Sequence, residues 1–227
     1  ITYLRLPNNV YNKKPERDFI WKGFRELRIV FKSLTNYPQI RIFLIAFFLF
    51  SVGVQTIIYM ASIFGSKELG LSSTSLIITI LLVQVVAILG AFLFSKLSGT
   101  IGNLRTLKIT IVVWALVCLI AFTLDKDQRF VNIYFYSLGG LIGLVLGAIQ
   151  SLSRSTYSKM LPDTEDHATY FSFYDVTEKI AIVLGTFVFG LLIALTHSMQ
   201  WSVLFLAIFF LASFIVLSFV KKTRYVT

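Results

Sequence analysis

The stretch IRIFLIAFFLFSVGVQTIIYMASI, residues 40–63, decides the fold class of this chain. Its only charged side chain is that of Arg41. Roughly 20 predominantly apolar residues in an α-helix are enough to cross the hydrocarbon core of a bilayer. A membrane-spanning strand would instead alternate apolar and polar residues over about 10 positions, and this stretch does not alternate. The segment is therefore predicted to be a transmembrane helix.

Five more apolar stretches of similar length follow, and most of the connections between them are short. They are Thr74–Phe94, Thr106–Leu124, Ile133–Ser151, Phe171–Thr196 and Trp201–Val220. Short connections make neighbouring helices antiparallel. The sequence thus predicts an all-α membrane protein with three parts: a cytoplasmic linker (1–39), a six-helix transmembrane bundle (40–220) and a cytoplasmic tail (221–227).

The composition of the 227 residues argues against a water-soluble enzyme or binding module. Hydrophobic residues make up 56% of the chain and charged residues only 14%, whereas about a quarter of a soluble domain is charged. The chain contains no Gly-rich phosphate loop, no His-Glu-x-x-His, no cysteine pair and no Gly-x-Ser-x-Gly. We therefore expect no catalytic residue, no metal site and no cofactor.

The basic residues predict how the helices are oriented. The formal net charge is +10, and 17 Lys and Arg flank one side of the predicted bundle, against Lys67, Lys126 and Arg129 on the other. Because cytoplasmic loops are enriched in Lys and Arg, both termini are predicted to be cytoplasmic. The expected location is the inner membrane of a bacterium, and the expected partner of the basic charge is the bilayer rather than nucleic acid.

The linker contains a basic amphipathic helix. Ile20, Phe24, Leu27, Phe31 and Leu34 recur at intervals of three and four residues, which places them on one helical face. Basic residues fill much of the remaining surface. Such a helix can lie on the inner membrane surface, or it can pack on the cytoplasmic mouth of the bundle.

The fifth predicted span is the most informative, because its cytoplasmic half contains Asp175, Glu178 and Lys179. Ionisable residues at membrane depth are costly, and they usually face a cavity or one another. Asp175 and Lys179 stand four residues apart, so we expect them to pair. We expect Glu178 to meet Arg154, a candidate cytoplasmic gate at the end of the fourth span. In the alternative, the helix enters the hydrocarbon only near Ile180 and the three charges lie among the headgroups.

Uncharged polar residues in other spans extend the list of candidates for a substrate or proton pathway. A lone Gln in a transmembrane helix serves equally well as a contact between helices. These candidates are Gln55, Tyr59, Gln84 and Gln150.

The fourth span also contains two overlapping Gly-x-x-x-Gly steps. They are formed by Gly139, Gly143 and Gly147. Small residues at this spacing allow another helix to approach closely, so we predict a helix-packing face.

Two segments resemble a known family of membrane proteins. They are FFLFSVGVQTIIYMASIFGSKELGLSSTSLI (47–77) and GAIQSLSRSTYSKMLPDTEDHATYFSFYDVTEK (147–179). Both resemble the second half of the vacuole-effluxer (autophagy-related-protein-twenty-two-like) family of the major facilitator superfamily. The most specific matches are 53–56, 150–155 and 173–175 followed by Lys179. The loop SKLSGTIGNLRTLK (95–108) is similar to a facilitator loop, although Gly99 replaces the usual acidic residue.

The resemblance implies both an architecture and a function. The six spans would be helices seven to twelve of a twelve-helix secondary transporter, and the six-helix half that precedes them would be missing from this piece. The implied activity is the movement of a small polar organic solute, such as an amino acid, by alternating access. The alternative is a permease subunit of an ATP-driven transporter, which also commonly has six helices. An intramembrane enzyme would need a catalytic pair that the sequence lacks.

Overall fold

The computed structural model of the chain describes residues 19–162 and 167–221. These residues form seven α-helices and no strand, so the predicted all-α fold class is confirmed. A 3-10 turn over Leu34–Asn36 separates the first two helices. The helices are α1 (Phe19–Ser33), α2 (Pro38–Lys67), α3 (Ser73–Ile101), α4 (Asn103–Phe122), α5 (Val131–Met160), α6 (His167–Thr196) and α7 (Met199–Ser218).

Six of these helices, α2 to α7, are long and apolar enough to cross a membrane. Four of them have 29 or 30 residues, which corresponds to about 45 Å of helix. The hydrocarbon core is only about 30 Å thick, so helices of this length also extend into polar surroundings. Apolar stretches in the sequence therefore end before the helices do. For example, α5 continues beyond Ser151 through a polar segment as far as Met160.

The helix ends follow ordinary local chemistry. Pro38 occupies the first turn of α2, where its missing N–H is not needed. Ser72 caps α3, because its Oγ accepts a hydrogen bond from the backbone N–H of Ser75 at 3.3 Å. Gly102 is the only residue between α3 and α4, and its φ of 89° lies in the left-handed region that favours glycine.

Successive helices alternate in direction, so the bundle has two distinct ends. We call one of them the basic end; it contains Pro38, Ile101, Asn103, Met160, His167 and Ser218. At this end the backbone N–H of Lys221 donates to Gln39 Oε1 at 2.7 Å. At the opposite end Gln200 Nε2 donates to the carbonyl of Leu124, also at 2.7 Å. These bonds join α7 to α2 at one end and to the segment after α4 at the other.

The six long helices form an arc in which each helix packs on its neighbours. The order along the arc is α3, α5, α4, α7, α2 and α6, and α2 also touches α5. The helices at the two ends of the arc, α3 and α6, are the least buried. Only 11% and 17% of an apolar 18-residue stretch is buried in these two helices, against 39–61% in the other four.

The core lies between α2, α4 and α7. Trp114 and Phe210 are fully buried, and their rings stack with centroids 5.8 Å apart. The ring of Phe210 also fills the space that a Cβ would occupy at Gly53, so a larger residue at this position would displace that buried ring. The single cysteine, Cys118, is buried in the same core.

The three glycines of the predicted packing face lie against α3. A Cβ at Gly139 would come within 2.6 Å of Thr79 Cγ2, and one at Gly143 would come within 2.6 Å of Val83 O. At Gly147 the added atom would overlap the backbone of Ala87, and at Gly90 on α3 it would overlap the backbone of Leu144. The helices α3 and α5 are therefore in backbone contact along several turns.

The linker helix α1 packs on the bundle, but not through the whole predicted face. Leu34 is buried, whereas Phe31 is 65% exposed and Val30, which lay outside the predicted face, is buried. The side chains of Ile20 and Phe24 lie outside the described residues. The packed side of α1 is set by Val30 and by a hydrogen bond between Ser33 Oγ and the Tyr170 hydroxyl at 3.0 Å, and Leu34 is buried in the turn that follows. Phe31 lies at the edge of this contact, with its ring centroid 6.3 Å from that of Phe173.

Candidate functional site

A cavity of about 420 Å³ opens between α2, α5 and α6. Its wall combines aromatic side chains with charged and amide side chains, a composition typical of binding sites for small polar molecules. The lining residues are Phe47, Phe50, Ser51, Val54 and Gln55 from α2, Ile149, Gln150, Ser151, Ser153 and Arg154 from α5, and Tyr174 and Glu178 from α6.

The cavity lies deep within the bundle. Gln55 is 17 residues from the start of α2 at Pro38, and Glu178 is 11 residues from the start of α6 at His167. At 1.5 Å per residue these positions are about 26 and 17 Å along their helices from the basic end. Both lie close to the middle of 30-residue helices, and both line the cavity.

Glu178 is hydrogen-bonded to a neutral partner. The side-chain Nε2 of Gln55 donates to Glu178 Oε1 and thereby joins α6 to α2. Both side chains are partly exposed to the cavity. The bond satisfies one oxygen of a carboxylate that would otherwise face low-dielectric surroundings without a partner.

Arg154 forms an ion pair with Asp175, not with Glu178 as predicted. Arg154 Nη2 lies 2.8 Å from Asp175 Oδ1, and the two side chains are 57% and 51% exposed. The guanidinium carbon also lies 5.7 Å from the ring centroid of Tyr174 and 6.0 Å from that of Phe171, distances at which a cation is attracted to an aromatic ring. The pair joins α5 to α6 about 9–12 Å from the basic end.

The predicted pair of Lys179 and Asp175 is absent. Asp175 lies at the border between the packed and open sides of α6, from which it meets Arg154 across the helix interface. Lys179 follows on the open side, where it is exposed, and none of the described residues forms an ion pair with it. Spacing along one helix cannot reveal a stronger partner on a neighbouring helix.

Aromatic side chains that the sequence reasoning missed close the cavity toward the basic end. Tyr174 stacks on Phe47 with ring centroids 3.9 Å apart, and its hydroxyl shares a 2.9 Å hydrogen bond with Ser153 Oγ. One turn nearer the basic end, the Tyr157 hydroxyl donates to the carbonyl of Tyr170 at 2.9 Å. Tyr174 could have been identified from its spacing, because it precedes Glu178 by four residues and so shares its helical face.

The remaining candidates divide between the cavity and other surfaces. Gln150 lines the cavity. Tyr59 is exposed on α2, one turn beyond Gln55, and does not line it. Gln84 lies on α3 beside a separate, largely apolar groove between α2, α3 and α5.

The arrangement can hold a small molecule by ion pairs and hydrogen bonds. The cavity lining offers a guanidinium, one carboxylate, two amides and an aromatic wall. Within the described ranges, no cluster of three or more His, Cys, Asp or Glu side chains has the grouping of a metal site.

Comparison with known proteins identifies relatives of the chain. The family model for "Vacuole effluxer Atg22 like" matches residues 1–226. The "Uncharacterized MFS-type transporter YxiO" of Bacillus subtilis is 31% identical over 93% of this chain and 48% of its own length.

Fungal proteins are similar to about the same degree. Autophagy-related protein 22 of Yarrowia lipolytica is 30% identical over 80% of this chain and 31% of its own length. The protein of the same name from Saccharomyces cerevisiae is 30% identical over 92% of this chain and 40% of its own length. The chain thus spans less than half the length of these relatives.

Proposed function

The chain belongs to the vacuole effluxer Atg22-like family, and on this basis we propose that it is the C-terminal half of a secondary transporter of the major facilitator type. The six long apolar helices and the transporter relatives mark it as a multi-pass membrane protein. Facilitator halves are six-helix bundles, and their substrate site lies near the bilayer midplane between the two halves. One half therefore supplies one wall of the transport pathway.

The observation that carries the proposal is the cavity between α2, α5 and α6, which Arg154 and Glu178 both line. The Arg154 side chain is 57% exposed although it is paired with Asp175, so a solute that enters the cavity can contact it. Charges held within a membrane bundle usually mark a substrate or ion pathway. We assign the cavity on this ground to a small polar organic solute.

Amino acids are the solute class that we propose. An amino acid has one carboxylate and one ammonium group, and the cavity lining offers Arg154 for the first and the carboxylate of Glu178 for the second. The aromatic wall formed by Phe47 and Tyr174 can cover the apolar part of a side chain.

Glu178 is the residue that we propose for proton coupling. Its described hydrogen-bond partner is the neutral amide of Gln55, so protonation of Glu178 does not take the counter-charge away from a paired cationic side chain. Protonation of Asp175 would instead deprive Arg154 of its counter-charge. We therefore assign the pair of Arg154 and Asp175 to a gate between the cavity and the basic end.

The orientation follows from the charge bias of the sequence. We propose that the basic end faces the cytoplasm, because 17 Lys and Arg flank it against three at the opposite end. For a bacterial chain this corresponds to the inner membrane. Alternating access would then arise from rocking of this half against its partner half.

Uptake in proteoliposomes tests the proposal. The full-length protein is reconstituted without ATP, and uptake of a panel of radiolabelled amino acids is measured with and without an imposed pH gradient. We expect accumulation of at least one amino acid that depends on the gradient. The Glu178→Gln variant should lose gradient-driven accumulation.

The matched control is Asp127→Asn, which removes an exposed carboxylate from the segment between α4 and α5 and should behave as the wild type. Uptake that requires ATP and a partner ATPase would favour the permease alternative. A Glu178→Gln variant that still accumulates solute would exclude Glu178 as the coupling residue.

A further inference from the structure

Lys179 is a charged side chain on an otherwise apolar, open surface of α6. Its neighbours along this surface are Val176, Ile180, Val183 and Phe187, which are 37%, 55%, 68% and 67% exposed. They stand three, one, four and eight residues from Lys179 and so form one stripe of the helix. We call these five residues the α6 stripe. Within the described ranges, no carboxylate is paired with Lys179.

The stripe covers about 16 Å of α6, from Val176 to Phe187. Lys179 is 12 residues from the start of α6 at His167, which is about 18 Å along the helix. It directly follows Glu178, whose bond to Gln55 joins the middle parts of two long helices. A lysine stem reaches only about one helical turn, roughly 5 Å, so the ammonium group stays beside the α6 stripe.

An ammonium group at this depth needs a counter-charge. Lysine within a membrane span pairs with another residue or faces water. Lys179 does not face the cavity, since it is not among the lining residues. The two carboxylates nearest in sequence are already engaged, Asp175 by Arg154 and Glu178 by Gln55. The described part of the chain thus supplies no counter-charge for Lys179.

The position of α6 indicates what covers the stripe. The helix lies at one end of the arc and is among the least buried. The relatives are two to three times longer than the matched region, since the chain covers 31–48% of them. This additional length is sufficient for a second bundle of the same size.

We infer that the α6 stripe packs against a transmembrane helix of the N-terminal half and that Lys179 forms an ion pair there with an aspartate or glutamate of that half. The inference rests on the proposed function, because it requires the second half. It adds an ion pair between the halves, one residue away from the proposed coupling carboxylate. Opening and closing of the pathway would then alter the surroundings of Lys179 as well as those of Glu178.

Photo-cross-linking in the full-length protein tests this inference. Benzoylphenylalanine is introduced singly at Val176 and at Val183, which flank Lys179 on the stripe. We expect intramolecular adducts that mass spectrometry maps to one helix of the N-terminal half, within one helical turn of an acidic residue. The matched control is Ile208 on α7, which is 54% exposed but lies away from the ends of the arc, and it should yield no such adduct.

Charge exchange then tests the pair itself. Lys179→Glu, and replacement of the mapped acidic residue by lysine, should each lower the uptake rate about tenfold, because each leaves two like charges facing one another at membrane depth. The double variant should recover most of the wild-type rate. A Lys179→Arg variant should remain active.

Two results would overturn the inference: adducts with lipid only, or adducts with a helix that has no acidic residue within one turn. Neither result depends on transport, so a protein that cross-links as expected but moves no solute would refute the proposed function and leave the ion pair in place. Failure of the double variant to recover activity would also count against the pair.

Discussion

Replacement of Gly143 by alanine is expected to force α3 and α5 apart. The new Cβ would lie 2.6 Å from the carbonyl oxygen of Val83, 3.1 Å from its Cα and 3.1 Å from the Cβ of Val86. All three atoms belong to the backbone or are fixed directly to it, so no side-chain rotation can relieve the overlap. Ordinary contact begins near 3.4 Å, and the helices must therefore separate by about 0.8 Å at this turn.

The cost of this separation can be estimated. Overpacking of a well-packed interior by one carbon costs about 1–3 kcal/mol. For a bundle of about 200 residues, 1 kcal/mol corresponds to roughly 2–4 °C in the melting temperature. Any helical Gly→Ala substitution also gains about 1 kcal/mol of helix propensity, so relative to an unstrained Gly→Ala substitution on the same helix we expect the Gly143→Ala variant to melt about 2–12 °C lower in detergent, as followed by tryptophan fluorescence of the purified protein.

Gly140 on the same helix provides a matched control. A Cβ at Gly140 would lie 3.7 Å from Leu82 Cδ2, an ordinary contact with the end of a flexible side chain. Alanine also favours helix over glycine by about 1 kcal/mol, so the Gly140→Ala variant should be as stable as the wild type or more so. Equal melting temperatures for the two variants would refute the close contact between α3 and α5.

Three further outcomes are expected. Arg154→Ala should abolish uptake while changing stability by only about 0–1 kcal/mol, because the pair is exposed; normal uptake would remove Arg154 from the proposed site and gate. Tyr174→Phe removes the 2.9 Å bond to its serine partner on α5 and should lower stability by about 1 kcal/mol, measured as a lower melting temperature. Single cysteines are placed at Asp127 or Lys159 in a cysteine-free background and treated with an impermeant thiol reagent. The cysteine at Asp127 should react from outside intact cells, and the one at Lys159 only after permeabilisation. The reverse pattern would show that the proposed orientation is wrong.

Much of the fold followed from the sequence because a bilayer imposes a simple rule on it. Each backbone polar group must be satisfied within the membrane, so a long apolar run there becomes a helix. The six apolar helices and the all-α class are confirmed, and the family match confirms the resemblance seen in residues 47–77 and 147–179. The order of helices along the arc could not be predicted, because α2 to α7 are all strongly apolar and their patterns do not specify neighbours.

The site was harder to predict, because its partners come from different helices. Asp175 and Glu178 were recognised by their cost at membrane depth, but neither pairs with the predicted residue. Helical spacing reveals which side chains share a face, whereas the choice between Arg154 and Lys179 depends on how α5 approaches α6. The packing role of Gly90 was missed for the same reason. A single glycine on α3 can be recognised as a helix contact only once the backbone of Leu144 is known to lie against it.

The one-residue connection at Gly102 has a consequence for how the protein is made. Since α3 ends at Ile101 and α4 begins at Asn103, the ribosome synthesises the two helices with a single residue between them. Lys96, Arg105 and Lys108 surround this reversal, and positive charges resist translocation across the membrane. We therefore expect α3 and α4 to leave the translocon together, as a preformed hairpin whose turn never crosses the bilayer.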